Sequence, residues 1–216
     1  MPALTREESQ ARTRRLLLEK GPEVVAREGY EGASIDKIAE AAGFSKGAFY
    51  SNFASKEEYF LELLERHAGQ DVPEIAKVLK GVSGPDEIIE RMAAWSTQRA
   101  SDPIWGVLAL ELLRRAKRDK TYDRHHANLF REQWRGVGEL LLPIAPGWSN
   151  PEPELLGAIV IELTYGASSG IGSHDGPSVG DLVRTTLRAF RLAYPGKGAS
   201  TAPSNIANRS GSSEPS

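Results

Sequence analysis

The chain has 216 residues, 40% of them hydrophobic and 26% charged, enough to bury the core of one or two compact units. Its 27 Lys and Arg stand against 29 Asp and Glu, a formal net charge of −2, so bulk basicity gives no argument for nucleic acid. The absence of cysteine excludes disulfides, thiolate nucleophiles and cysteine-ligated zinc. The first eight residues lack the apolar run of a signal peptide. The longest weakly apolar stretch, 157–172, is interrupted by Glu162 and is too short for a bilayer, so a cytoplasmic protein is expected.

Apolar residues recur at the helical period almost throughout, and no stretch alternates long enough for a strand, so the fold class is all-α. Thr5 with Glu8 has capping-box form and opens a helix carrying Leu16, Leu17, Val24 and Val25 until Gly29 stops it. Within it, Gly21 and Pro22 remove a backbone donor and crowd the preceding turn, which predicts a kink or split near Lys20. Ser55 with Glu58 caps a helix through Tyr59, Phe60, Leu63 and Leu64 to about His67, and a shorter piece is expected over 73–79. Further helices are expected over 86–101, 103–119 and 121–144, then, beyond a Pro/Gly/Asn-rich loop at 143–153, over 154–171 and 179–194. The tail from Gly196 has Ile206 as its only large apolar residue and is expected to be disordered. The expected organisation is a DNA-binding unit with its linking helix over 1–68, a helical effector and dimerisation unit over 69–195, and the tail 196–216.

Residues 34–53 carry most of the information. Ser34 caps a short helix with inner face Ile35, Ile38, Ala39 and Ala42; Gly43 ends it and Ser45 caps another two residues later, the tight turn of a helix-turn-helix. Phe44 can staple against Phe49, and Phe49 and Phe53, four apart, face inward. Outward stand Gly47, Ala48, Tyr50 and Ser51, with Lys46 projecting from the first turn. Gly47 holds nothing away from DNA, Lys46 can reach phosphate or a guanine edge, and Ala48 can meet a thymine methyl. Tyr50, Ser51 and the backbone N–H groups at the helix starts capped by Ser34 and Ser45 can donate to phosphate. The alternative is a plain helical hairpin with a solvated face. Residues 1–66 hold ten basic side chains against twelve acidic ones, so the case rests on this motif and not on charge.

The runs Thr13 to Leu18, Arg27 to Tyr30, Ser34 to Ala39, Ala42 to Gly47, Phe49 to Phe53 and Ser55 to Glu57 resemble, in order, the DNA-binding domain of the tetracycline-repressor (TetR) family. The resemblance covers roughly 10–60; beyond it, only the number and length of helices agree. It implies that Lys46, Ala48, Tyr50 and Ser51 meet the major groove or its backbone and that Ser34 and Lys56 hold phosphates. Gly21, Pro22, Val25 and Ala48 depart from the family pattern, and the last removes a threonine hydroxyl from the expected contacts.

Trp95, Trp105, Tyr122, Phe130 and Trp134 on the middle helices suggest either a large core or a cavity, and the resemblance implies an effector pocket there. Trp95, Trp105, Leu108, His126, Phe130, Trp134 and Glu162 are the candidate pocket residues. Glu162 has no cation within a turn, which suggests a pocket or an interface, whereas Glu111 has Arg115 four residues on. Adjacent His125 and His126 point about 100° apart and do not chelate one metal. Small residues on helix 154–171 and the stripe Val179, Leu182, Val183, Leu187 and Phe190 suggest a four-helix dimer interface. Without a nucleotide loop, metal spacing or nucleophile motif, neither catalysis nor a cofactor is expected. The expected function is a homodimeric repressor that binds a palindromic operator and is released by a small, largely apolar or aromatic effector. The alternative is a helical DNA-binding or interaction protein without an effector switch.

Overall fold

The computed structural model describes residues 5–102, 104, 120–166 and 176–196, with 120–127 and 129 as backbone only. Among the described residues every regular element is helical: α1 (Arg6–Gly32), α2 (Ile35–Ala41), α3 (Lys46–Tyr50), α4 (Lys56–Val78), α5 (Pro85–Ala100), α6 (Lys120–Leu141) with a 3₁₀ turn (Leu142–Ile144), α7 (Pro153–Gly166) and α8 (Val179–Ala193). The expected helix over 103–119 and the tail lie outside the described residues apart from Ile104 and Gly196, as do 167–175, which hold the end of the helix expected over 154–171.

Local signals set most helix ends. Thr5 and Glu8 form the reciprocal capping box that starts α1, Ser178 and Asp181 the one that starts α8, and Pro85 occupies the first turn of α5. Two expectations are corrected. The backbone of α1 stays helical through Pro22 and leaves that region only at Gly29, where φ is 68°. Pro22 withholds a bond from the Leu18 carbonyl; next to it the Tyr59 hydroxyl donates to the Leu17 carbonyl at 2.9 Å, and a Cβ at Gly21 would lie 1.9 Å from that hydroxyl oxygen. Gly21 therefore makes room for a donor from another helix in the turn where proline has removed one. Likewise α4 is one helix through Pro73 and not two pieces. Pro73 withholds a bond from the carbonyl of Gly69, but Gly69 is exposed, so water can satisfy that group.

Two cores result. The first gathers Leu17, Val25, Ile38, Phe49, Phe53, Tyr59 and Leu63 among α1, α2, α3 and the first half of α4, ending at Ala68. The second starts on α4 at Ile75 and takes in Ile89, Met92, Trp95, Val137, Leu141, Val160, Ile161, Val183 and Leu187. Helix α4 thus passes from one core into the other.

Glycines bring the α6 and α7 backbones together: a Cβ at Gly157 would lie 1.8 Å from the Trp134 carbonyl oxygen, and one at Gly138 1.7 Å from that of Pro153. Gly157 was expected to serve a dimer face; it serves this contact within the subunit. The same holds for two of the five residues of the expected α8 stripe, because Val183 and Leu187 are fully buried in the second core. Arg184 and Arg188 on α8 pair with Glu90 of α5 at 2.9 and 2.8 Å.

Candidate nucleic-acid interface

The turn between α2 and α3 closes by a Schellman arrangement. The N–H of Gly43, at φ 79°, donates to the Glu40 carbonyl at 2.9 Å, and that of Phe44 donates to the Ala39 carbonyl at 2.8 Å. Glycine is needed there because a side chain disfavours positive φ. Ser34, Ser45 and Ser55 each cap the following helix by accepting from the backbone three residues on. Beneath α3, Phe49 and Phe53 are buried at a centroid separation of 5.3 Å, and Tyr59 meets them at 5.4 and 5.1 Å. This aromatic trio anchors a helix too short to stand alone.

What α3 turns outward is the set expected. Lys46, Gly47, Tyr50 and Ser51 are exposed and Ala48 is half-buried. A Cβ at Gly47 would meet only the Ser45 hydroxyl, at 3.8 Å, so nothing inside the chain requires glycine there. The Ser51 hydroxyl donates to the Gly47 carbonyl at 2.9 Å. Lys46 Nζ bonds Asp36 Oδ2 at 2.8 Å, and this partner holds the lysine in its charged form above the usual range. Lys56 bonds the Tyr30 carbonyl and lies over the Tyr30 ring, 4.3 Å from its centroid, so its ammonium is turned toward α1.

Residues 17–63 match the family model for bacterial regulatory proteins of the tetR family. That stretch is thus similar to the DNA-binding domain of TetR-family transcriptional regulators. Among curated relatives, the HTH-type transcriptional activator FasR of Mycolicibacterium smegmatis is 39% identical over 64 residues, 30% of this chain and 29% of that one. The HTH-type transcriptional repressor AcnR of Corynebacterium diphtheriae is 30% identical over 122 residues, 56% of this chain and 59% of that one. The matched stretches thus span less than two thirds of these relatives' lengths. A solved structure from Mesorhizobium loti assigned to the tetR family superposes with TM-score 0.69, covering 88% of this chain and 99% of that one at 19% identity. FadR of Bacillus subtilis, solved in complex with stearoyl-CoA, superposes with TM-score 0.59, covering 82% and 96% at 16% identity. Such similarity carries the TetR fold beyond the N-terminal domain.

The candidate effector residues scatter. Trp95 is buried in the second core, directs its indole N–H to Glu74 at 3.5 Å, and edges an open groove of about 670 Å³ between α4 and α5. Trp134 lines a different opening, with Glu154, Leu155 and Ala158, and its indole nitrogen is buried without a partner among the described residues. Phe130 packs against the first core, 6.5 Å from Trp134. Glu162 is exposed on α7, where partial burial raises its carboxyl above the ordinary range. Trp105 and Leu108, with Glu111 and Arg115, lie outside the described residues, as do the side chains of Tyr122, His125 and His126.

A polar cluster that no sequence pattern announced lies between the two cores. Asp71 of α4 is fully buried and pairs with Arg99 of α5 at 2.7 Å. Tyr165 of α7 and Gln133 of α6 both donate to the same carboxylate. Arg99 also donates to the Tyr165 hydroxyl at 3.1 Å and to the His67 carbonyl at 3.0 Å. Burial pushes Asp71 up to about 6, against the pull of Arg99, and burial lowers His67 although Asp102 stands 3.2 Å away. A faint signal existed: Asp71 follows Leu64 and Ala68 in the apolar register of α4, and Arg99 follows Met92 and Trp95 in that of α5. Ending the fourth helix at His67 hid it.

Proposed function

We propose that this chain is a homodimeric repressor that reads a two-fold-symmetric operator with α3 and is released by a small effector. The observation that carries the DNA reading is α3 itself: a short helix pinned by Phe49, Phe53 and Tyr59, with Lys46, Gly47, Tyr50 and Ser51 presented to solvent. A symmetric dimer sets two such helices against half-sites about 34 Å apart. Lys46, Gly47, Ala48, Tyr50 and Ser51 then meet base edges or backbone, with Ser34 and Ser45 at flanking phosphates. Lys56 reaches phosphate only by leaving Tyr30. Repression is the sense taken from AcnR, which is named a repressor. Dimerisation is assigned to α7 and α8, where Leu155 is 48% and Leu192 78% exposed, large apolar side chains on helices whose opposite faces are buried.

The effector is proposed to act through the cluster of Asp71, Arg99, Gln133 and Tyr165, which ties α4 to α5, α6 and α7 where α4 leaves the first core. The candidate pocket residues are Trp95, Trp105, Leu108, His126, Phe130, Trp134 and Glu162, and an apolar or aromatic ligand among them would move α4 and the reader with it. The burial of Trp95 and Met92 in the second core favours a second reading, a DNA-binding protein without an effector.

Footprinting the DNA beside the chain's own gene yields an operator for both tests. Lys46→Ala and Tyr50→Ala are each expected to weaken operator binding by about 1–3 kcal/mol per subunit, and unchanged affinity in both, with intact helicity, refutes α3 as reader. Effector release requires that a pocket ligand bind operator-saturated protein more weakly than free protein, by a factor worth about 1–3 kcal/mol. Equal affinities leave the second reading standing.

A further inference from the structure

The cations around α2 and α3 are all engaged within the chain. Lys46 bonds Asp36 across the turn at 2.8 Å, Lys37 bonds Glu28, Arg27 pairs with Glu28 at 3.1 Å, and Lys56 bonds the Tyr30 carbonyl. Asp36 is the partner that bears on reading DNA, because it holds the one cation of α3 itself. It is exposed, stands in the first turn of α2 and takes no part in either core. Its carboxylate and a DNA phosphate therefore compete for one ammonium.

Non-specific affinity for DNA comes almost wholly from cations that neutralise phosphates and release counterions. A lysine held by its own carboxylate adds little of this, since one negative group replaces another and the displaced carboxylate is left beside the DNA. At a correct site the exchange differs, because Lys46 there gains a base edge or a phosphate fixed in register while the rest of α3 docks. We infer that Asp36 is a specificity-determining residue, a carboxylate latch on Lys46 that suppresses binding to arbitrary DNA and yields only on a matched site. The inference rests on the DNA-binding reading of α3.

The test uses the full chain and a random-sequence duplex of about 30 base pairs, with affinity read by fluorescence anisotropy between about 50 and 200 mM salt, a range over which phosphate contacts dominate. Asp36→Asn is expected to tighten binding about twofold to fivefold at low salt, the span of an exposed ion pair. It is also expected to steepen the slope of log affinity against log salt by about 0.9 per subunit, one further phosphate neutralised. Both effects are expected to vanish in a Lys46→Ala background. Unchanged affinity in Asp36→Asn overturns the latch, as does a gain that persists without Lys46. An equal gain from Glu40→Gln, which removes the same charge one turn along α2, also overturns it by reducing the effect to net charge. If the wild-type chain binds no duplex even at low salt, the DNA-binding reading falls as well; if it binds and only the latch predictions fail, that reading is untouched.

Discussion

Gly47 occupies a helix whose interior gains nothing from glycine. A Cβ there would touch only the Ser45 hydroxyl, at ordinary van der Waals distance, while glycine leaves a helix roughly 0.5–1 kcal/mol less stable than alanine would. On the proposed reading, the missing side chain serves outside the chain by letting the α3 backbone approach a groove. Gly47→Ala is accordingly expected to raise thermal stability slightly and to lower operator affinity, a divergence that melting and binding curves on one preparation would reveal. Gly21 has the opposite logic. Its missing Cβ is filled by the Tyr59 hydroxyl, so Gly21→Ala is expected to cost about 1–3 kcal/mol through overpacking and loss of the bond to Leu17. Tyr59→Phe alone is expected to cost about 1 kcal/mol. The double variant is expected to lose less than the two combined, because removing the hydroxyl opens part of the space that the alanine methyl needs; denaturant titration of all four proteins measures that coupling.

Among the elements, α4 has the most to reconcile. Its first half is held by Tyr59, Phe60 and Leu63 in the reader's core, and its second half by Ile75 in the other. Between them Asp71 sits fully buried against Arg99, with Tyr165 and Gln133 completing its shell. Burial raises the folded-state value of Asp71 to about 6, whereas the unfolded chain keeps the ordinary 3.8. A raised carboxyl takes up a proton on folding, so its contribution to stability is complete below about pH 4 and is lost as the pH rises through 6. The stability of wild type relative to Asp71→Asn is therefore expected to fall between pH 4 and 6, by up to about 3 kcal/mol, since each tenfold change in proton affinity between the two states is worth about 1.4 kcal/mol. Denaturation at several pH values reads this directly, and a pH-independent difference would show that Asp71 stays charged throughout. Asp71→Asn is also expected to alter how strongly changes in the second core are felt at α3.

At the scale of the whole molecule, the proposed two-fold symmetry would supply what one subunit lacks. A single α3 presents few groups to DNA, and the cations beside it are already engaged, so useful affinity calls for two readers on one rigid frame. Leu155 and Leu192 are the exposed large apolar side chains of α7 and α8. Leu192→Glu with Leu155→Glu is expected to shift the protein toward monomer in light scattering and to weaken operator binding at least tenfold, about 1.4 kcal/mol or more. Retention of the dimer would move the interface elsewhere. No helix among the described residues is long and apolar enough to cross a membrane.

The sequence by itself determined the local grammar of this protein. Capping boxes at Thr5 and Ser178, the serine caps at 34, 45 and 55, the positive-φ glycine at 43 and the inward pair Phe49 and Phe53 are all readable because each depends on neighbours within a turn or two. That is also why the helix-turn-helix and its outward face could be named from residues alone. The tertiary structure decided whatever depends on a partner far along the chain. Pro22 and Pro73 read as helix breaks, yet the Tyr59 hydroxyl bonds the Leu17 carbonyl, 42 positions away in the chain, in the turn before the first, and exposure of Gly69 to solvent relieves the second. Gly157 and Val183 looked available to a second subunit until α6 and α5 covered them. The Asp71–Arg99 pair joins two helices through charges that each looked misplaced in its own apolar stripe, and no local pattern states that two misplaced charges meet.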